Sequence, residues 1–75
     1  MKPHIITEGL GRYVCVLEGH AEGLRDYLLG AGVACGPVEP SHGLYYRLVR
    51  LLKGAKLARV RVLLGRWVPP VVPAS

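Results

Sequence analysis

The chain contains no asparagine, no glutamine and no phenylalanine, and only one methionine and one tryptophan. Arg outnumbers Lys seven to three. Sparse thermolabile amides together with Arg in place of Lys suit a GC-rich or thermophilic origin. They say nothing about activity. Long apolar runs are absent as well. Arg47, Arg50, Lys53, Lys56, Arg59 and Arg61 interrupt the apolar stretches, whereas a membrane-spanning helix needs about 20 mostly apolar residues. The opening "MKPHIITEG" has no apolar h-region, so no secretory signal is expected. Cysteine is scarce. Cys15 and Cys35 do not make a disulfide framework, and in a reducing cytosol they read most simply as two free, buried thiols, with a single disulfide or a metal site as the alternatives. A cytoplasmic protein with no membrane role follows as the expectation.

The most telling absence is of negative charge. No Asp or Glu follows Glu39. Residues 1–40 hold three cations against five acids, a net −2, and residues 41–75 hold seven cations and no acid, a net +7, which together make the chain's +5. A split of this kind points to an anionic partner, or to the acidic half of one copy meeting the basic half of another.

What is present suits one small domain. A chain of 75 residues buries only about 60% of its unfolded surface. "HIIT" offers a short edge strand, and "EGLGR" a turn. "RYVCVLEG" reads as a strand with both faces apolar, Tyr13, Cys15 and Leu17 on one and Val14 and Val16 on the other, as expected of a central strand. "HAEGLRDYLLGAG" is the clearest helix. Ala21, Leu24, Tyr27, Leu28 and Ala31 share one face, Glu22 sits near the positive end of the dipole, and Gly30 and Gly32 offer a left-handed stop. "VAC" begins another strand, and the Pro- and Gly-rich "GPVEPSHG" extends and then turns. "LYYRLVRLL" is a further strand. Leu44, Tyr46, Leu48, Arg50 and Leu52 lie on one of its faces, and Tyr45, Arg47, Val49 and Leu51 on the other.

Residues 55–67 admit two readings. As a helix, Leu57, Val60, Leu63, Leu64 and Trp67 line one face, with Arg59, Arg61 and Arg66 off it. As a strand, Ala58, Val60, Val62 and Leu64 alternate with arginines and "KGAK" becomes a hairpin loop. The helical pattern covers more residues with fewer violations. The chain is thus expected to be an α+β domain over residues 1–67, ordered β-α-β-β-α. Three strands, or four with "HIIT", form a sheet covered on one face by two helices. Residues 68–75, "VPPVVPAS", form a Pro-rich tail that cannot continue a helix.

Catalytic and metal constellations are weak. Cys15, His20, Cys35 and His42 are possible zinc ligands, but their spacing lacks the close pairs of structural zinc sites. Ser41 and His42 are sequence neighbours, which rarely face each other as a nucleophile and base must. Cys35 and His42 could approach across a loop. Glu22 and Asp26 share a helix face one turn apart and read as a solvated surface. "GLG" at 9–11 lacks the third glycine of a dinucleotide loop, and "KG" at 53–54 reverses the phosphate-loop order. No enzyme, metal site, cofactor or small-molecule substrate is expected.

The basic half carries the functional expectation. Arg47, Arg50, Lys53, Lys56, Arg59, Arg61 and Arg66 would contact phosphates of RNA or DNA, and Tyr45 could stack on a base. Without a base-reading motif, sequence preference should be weak. The bland reading is a solvated charged face whose Arg stems cover apolar surface. The rival function is a homo-oligomerising adaptor. A 51% hydrophobic composition exceeds what one small core can absorb, and a homodimer would bury Tyr45 and Val49 on the helix-free sheet face.

Overall fold

The computed structural model describes residues 2–41, 43 and 45–69. His42, Leu44 and the tail from residue 70, with the expectations placed on them, lie outside the described residues. The fold is α+β. Strands β1 (His4–Glu8) and β2 (Gly11–Leu17) precede a 3-10 turn at Glu18–His20 and helix α1 (Ala21–Gly30). Strands β3 (Cys35–Pro40) and β4 (Tyr46–Leu51) follow, and helix α2 (Leu57–Arg66) closes the order. The sheet runs β1-β2-β4-β3 and every neighbouring pair is antiparallel. "HIIT" therefore supplies a full fourth strand.

One apolar row crosses the whole sheet. Ile5 opposes Val14, Val14 opposes Val49, and Val38 also opposes Val49. β-Branched side chains pack well on a pleated surface, and both helices lie on this row. Leu24 and Leu28 of α1 and Val60 and Leu63 of α2 join Val14, Val16, Val49 and Leu51 in a single cluster. Leu24, Leu28, Val14, Val49 and Val60 are sealed from solvent.

Val49 is thus part of the core, 0% exposed, and this corrects its expected place on a helix-free face. Tyr45 precedes β4 and is 73% exposed. The face without helices carries Tyr46, Leu48 and Arg50 of β4, Tyr13, Cys15 and Leu17 of β2, and His4 and Ile6 of β1. Leu48 is buried yet stands apart from the core cluster, as its place on that second face requires.

Local chemistry explains the element ends. α1 ends at Gly32, with φ 86°. Val33 N–H reaches Leu28 C=O (2.9 Å) and Gly32 N–H reaches Leu29 C=O (3.0 Å), which makes a Schellman closure with Leu28 and Val33 both buried. The N-termini are poorly capped. His20 and Lys56 occupy the cap positions of α1 and α2, and neither makes a side-chain cap hydrogen bond. β3 is an edge strand with Pro37 and Pro40, residues that cannot donate to a further strand. Its pairing shifts between Cys35 and Val38, and Arg25 of α1 donates to Gly36 C=O there over 2.7 Å.

Candidate nucleic-acid interface

The helical reading of the basic segment holds. In α2, Val60 and Leu63 are buried and Leu57, Leu64 and Trp67 pack partly against the core. Ala58, Arg59, Arg61, Val62, Gly65 and Arg66 are exposed. At 100° per residue, Ala58, Val62 and Gly65 form the outward stripe, with Arg59 and Arg66 on one flank and Arg61 on the other. Lys56 sits at the N-cap and Lys53 in the preceding turn. That turn closes with Ala55 N–H on Leu52 C=O (3.1 Å) and places Gly54 at φ 102°, the left-handed position of a type II turn.

The seven cations do not form one set. Arg47 pairs with Glu18 over 3.0 Å and also donates to Tyr46 C=O. Arg50 holds Glu39 in a two-pronged contact, Nε to Oε2 at 2.5 Å and Nη2 to Oε1 at 3.1 Å. Its guanidinium also stands 5.1 Å from the centroid of the Tyr13 ring. These contacts hold the Glu39 carboxyl below its ordinary pKa, chiefly through the Arg50 hydrogen bond, and raise that of Arg50 in return. The expectation that all seven lack counter-charges is corrected for Arg47 and Arg50. Their acids come from residues 18 and 39, brought in by the 3-10 turn and by β3.

Among the described residues, Lys53, Lys56, Arg59, Arg61 and Arg66 form no ion pair with a carboxylate. Arg59 does have a structural contact, since its Nη2 donates to Ala31 C=O over 3.2 Å at the C-terminus of α1. A cation there complements the negative end of the helix dipole. Tyr45 is anchored by its carbonyl, which accepts Glu18 N–H (2.8 Å), while its ring is exposed. Trp67 meets His20 edge-on at 6.0 Å, so the C-terminal end of α2 and the 3-10 turn that holds Tyr45 lie together.

The other candidates are placed apart. Cys15 lies on the helix-free face and Cys35 in the core beneath the helices, so the sheet separates the two thiols. Both are free, and burial raises both pKa values, with Arg25 opposing it at Cys35. Ser41 Oγ donates to Tyr46 C=O (3.0 Å) and accepts Gly43 N–H (3.2 Å), the work of a turn residue. Glu22 and Asp26 are exposed on α1.

Comparison with protein-family models, curated proteins and solved structures finds no match.

Proposed function

We propose that the protein is a small basic binding module, not an enzyme, that holds RNA or DNA on the α2 surface and the turn before it. One observation carries this reading. Lys53, Lys56, Arg59, Arg61 and Arg66 crowd into a segment without an acid and, among the described residues, have no carboxylate partner. Phosphates would supply the missing charge. Tyr45, exposed near the C-terminal end of α2, offers a stacking surface.

Sequence preference should be weak for a chemical reason. The chain has no Asn or Gln to read adenine, and the outward stripe of α2 offers only Ala58, Val62 and Gly65 between its arginines. Arginine or lysine to guanine is the one common hydrogen-bonded pairing left, beside an apolar contact of Ala58 with a thymine methyl. Fluorescence anisotropy with labelled RNA and DNA oligonucleotides of several sequences at low salt tests the reading. Similar affinities across sequences support it.

A second reading rests on the helix-free face. Ile6, Tyr13, Cys15 and Tyr46 are only half-buried there, with no helix above them. A two-fold dimer could cover them. It would leave α2 free, so the two readings are compatible. Free thiols on opposite sides of the sheet suit a reducing, cytoplasmic setting. No helix among the described residues is long and apolar enough to cross a membrane.

A further inference from the structure

Two turns meet at one end of the sheet. β2 and β4 pair with Arg12 opposite Leu51, so the β1–β2 turn and the turn at 52–55 both project past the end of this ladder. The β1–β2 turn is Gly9–Leu10, with Gly9 at φ 60°; among the described residues only glycines take positive φ. A glycine at positive φ in the first central position is the II′ pattern of two-residue hairpins. Between the two turns lies a cleft of about 420 Å³, within the usual range for small-ligand sites.

The lining of the cleft combines two chemistries. Arg12, Arg50 and Lys53 line it and, among the described residues, no acid does. Arg50 is committed to Glu39, while Arg12 and Lys53 form no ion pair among the described residues. Leu10 and Leu52 line the same cleft, Leu10 fully exposed at 107% and Leu52 at 43%. At the turn tip the fold leaves the Leu10 side chain fully in solvent. A leucine in that setting, next to unpaired cations, matches a ligand with one apolar part and one anionic part.

The geometry points to a nucleotide in this cleft: its phosphate on Arg12 and Lys53, its base against Leu10 and Leu52. This rests on the nucleic-acid reading of α2, since Lys53 belongs to both surfaces and links them. The nucleotide is one unstacked member of the bound strand. A base inside a duplex cannot reach the leucines, so the cleft selects single strands over duplex. Concavity favours an inserted nucleotide over a flat lipid surface.

The test compares wild type with Leu10→Ser, Arg12→Gln and the double variant. Both positions are exposed, and unchanged thermal midpoints verify folding; if Arg12→Gln lowers its midpoint, Leu10→Ser alone decides. Anisotropy at low salt is measured with a labelled single strand, with the matching duplex, and with adenosine monophosphate as competitor. The expected result is a single-strand preference in wild type. Leu10→Ser should reduce single-strand affinity by about fivefold to tenfold, as expected when a leucine side chain partly covered by a base is lost, and leave duplex affinity unchanged. Equal loss on both substrates, or no loss, overturns the cleft while the nucleic-acid reading stands. Binding of the monophosphate without binding of strands, abolished by Leu10→Ser, upholds the cleft for a free nucleotide and overturns the strand reading. Binding of neither strands nor monophosphate overturns both. In that case co-sedimentation with phosphatidylserine vesicles, lost in Leu10→Ser, would assign the leucine tip to a lipid surface instead.

Discussion

Tyr27 Oη donates to the Leu63 main-chain carbonyl over 2.9 Å and so ties α1 to α2. The same carbonyl accepts Trp67 N–H at 3.0 Å. About one helical turn away, Arg59 reaches Ala31 C=O. The basic helix is therefore fixed to the acidic one by main-chain acceptors, without ion pairs between α1 and α2 among the described residues. Replacing Tyr27 by Phe should cost about 0.5–1.5 kcal/mol, the usual net worth of one hydrogen bond. Chemical denaturation checks this, with the slope unchanged because the fold is retained.

Leu28 is sealed beneath the helices at 0% exposure. Leu28→Ala should cost about 2–5 kcal/mol, which a domain of this size has little margin to lose. A thermal midpoint close to that of wild type would refute its place in the core. Val49→Glu should likewise unfold the protein, because it would bury a charge in the central row of the sheet. The proper probe of a dimer is Ile6→Glu on the helix-free face. If a dimer forms there, this variant sediments as folded monomer where wild type does not.

Lys56 takes extended φ/ψ angles of −86° and 116° at the N-cap of α2 and offers no acceptor to the helix. Lys56→Ser should stabilise the protein by about 0.5–2 kcal/mol, since a serine there can accept from the first free N–H groups. It also removes a cation from the positive end of the dipole. The thermal midpoint should rise by several degrees, about 4–8 °C per kcal/mol in a domain of this size. Oligonucleotide affinity should fall in the same variant. Opposite signs for stability and binding are the signature to seek.

The Glu39 carboxyl lies below its ordinary value of 4.5 because Arg50 bonds to it. A group with a depressed folded pKa contributes stability that is full above the unfolded pKa and is lost as pH falls through the folded one. Wild type should therefore lose thermal midpoint as pH drops below about 5, and Glu39→Gln should show a shallower loss over the same window. Parallel acid limbs for the two proteins would show that the pair contributes nothing.

Much of this fold was legible in the chain. The α1 face was fully readable, because Leu24 and Leu28 sit one turn apart and glycines follow. α2 was readable from the 3.6 period of Leu57, Val60, Leu63 and Leu64. The facing of β4 was not. "YRLVRL" alternates two half-apolar sets, so its own pattern does not say which face the helices will take. The row Ile5–Val14–Val49–Val38 decides it, and that row exists only once all four strands are in register. β3 was placed by "VAC" at its start, but its extent through Pro40 was obscured by Gly36, Pro37 and Pro40, whose composition suits an extended stretch and a turn as well as a strand. The pairing of Glu39 with Arg50 was hidden for the same reason. Glu39 opposes Leu48 and so stands diagonal to Arg50, a relation set by the β3–β4 register. Of the candidate site, the crowding of cations was visible from composition, but their division into paired and unpaired groups was not.

The salt dependence of oligonucleotide binding tests the central claim most directly. If about four of Lys53, Lys56, Arg59, Arg61 and Arg66 touch phosphates together, log K should fall with log salt with a slope near −3 on single strands and steeper on duplex. The decisive variant is Arg61→Glu with Arg66→Glu. Arg59 is left alone because an acid there would face the α1 carbonyl end. Arg61 and Arg66 are exposed and have no ion-pair partner among the described residues, so the thermal midpoint should stay near that of wild type. Binding should be lost, or its slope reduced by about a quarter to a half, as one or two of the four phosphate contacts disappear. Absence of wild-type binding at low salt, or an affinity indifferent to salt and to this double substitution, would contradict the account.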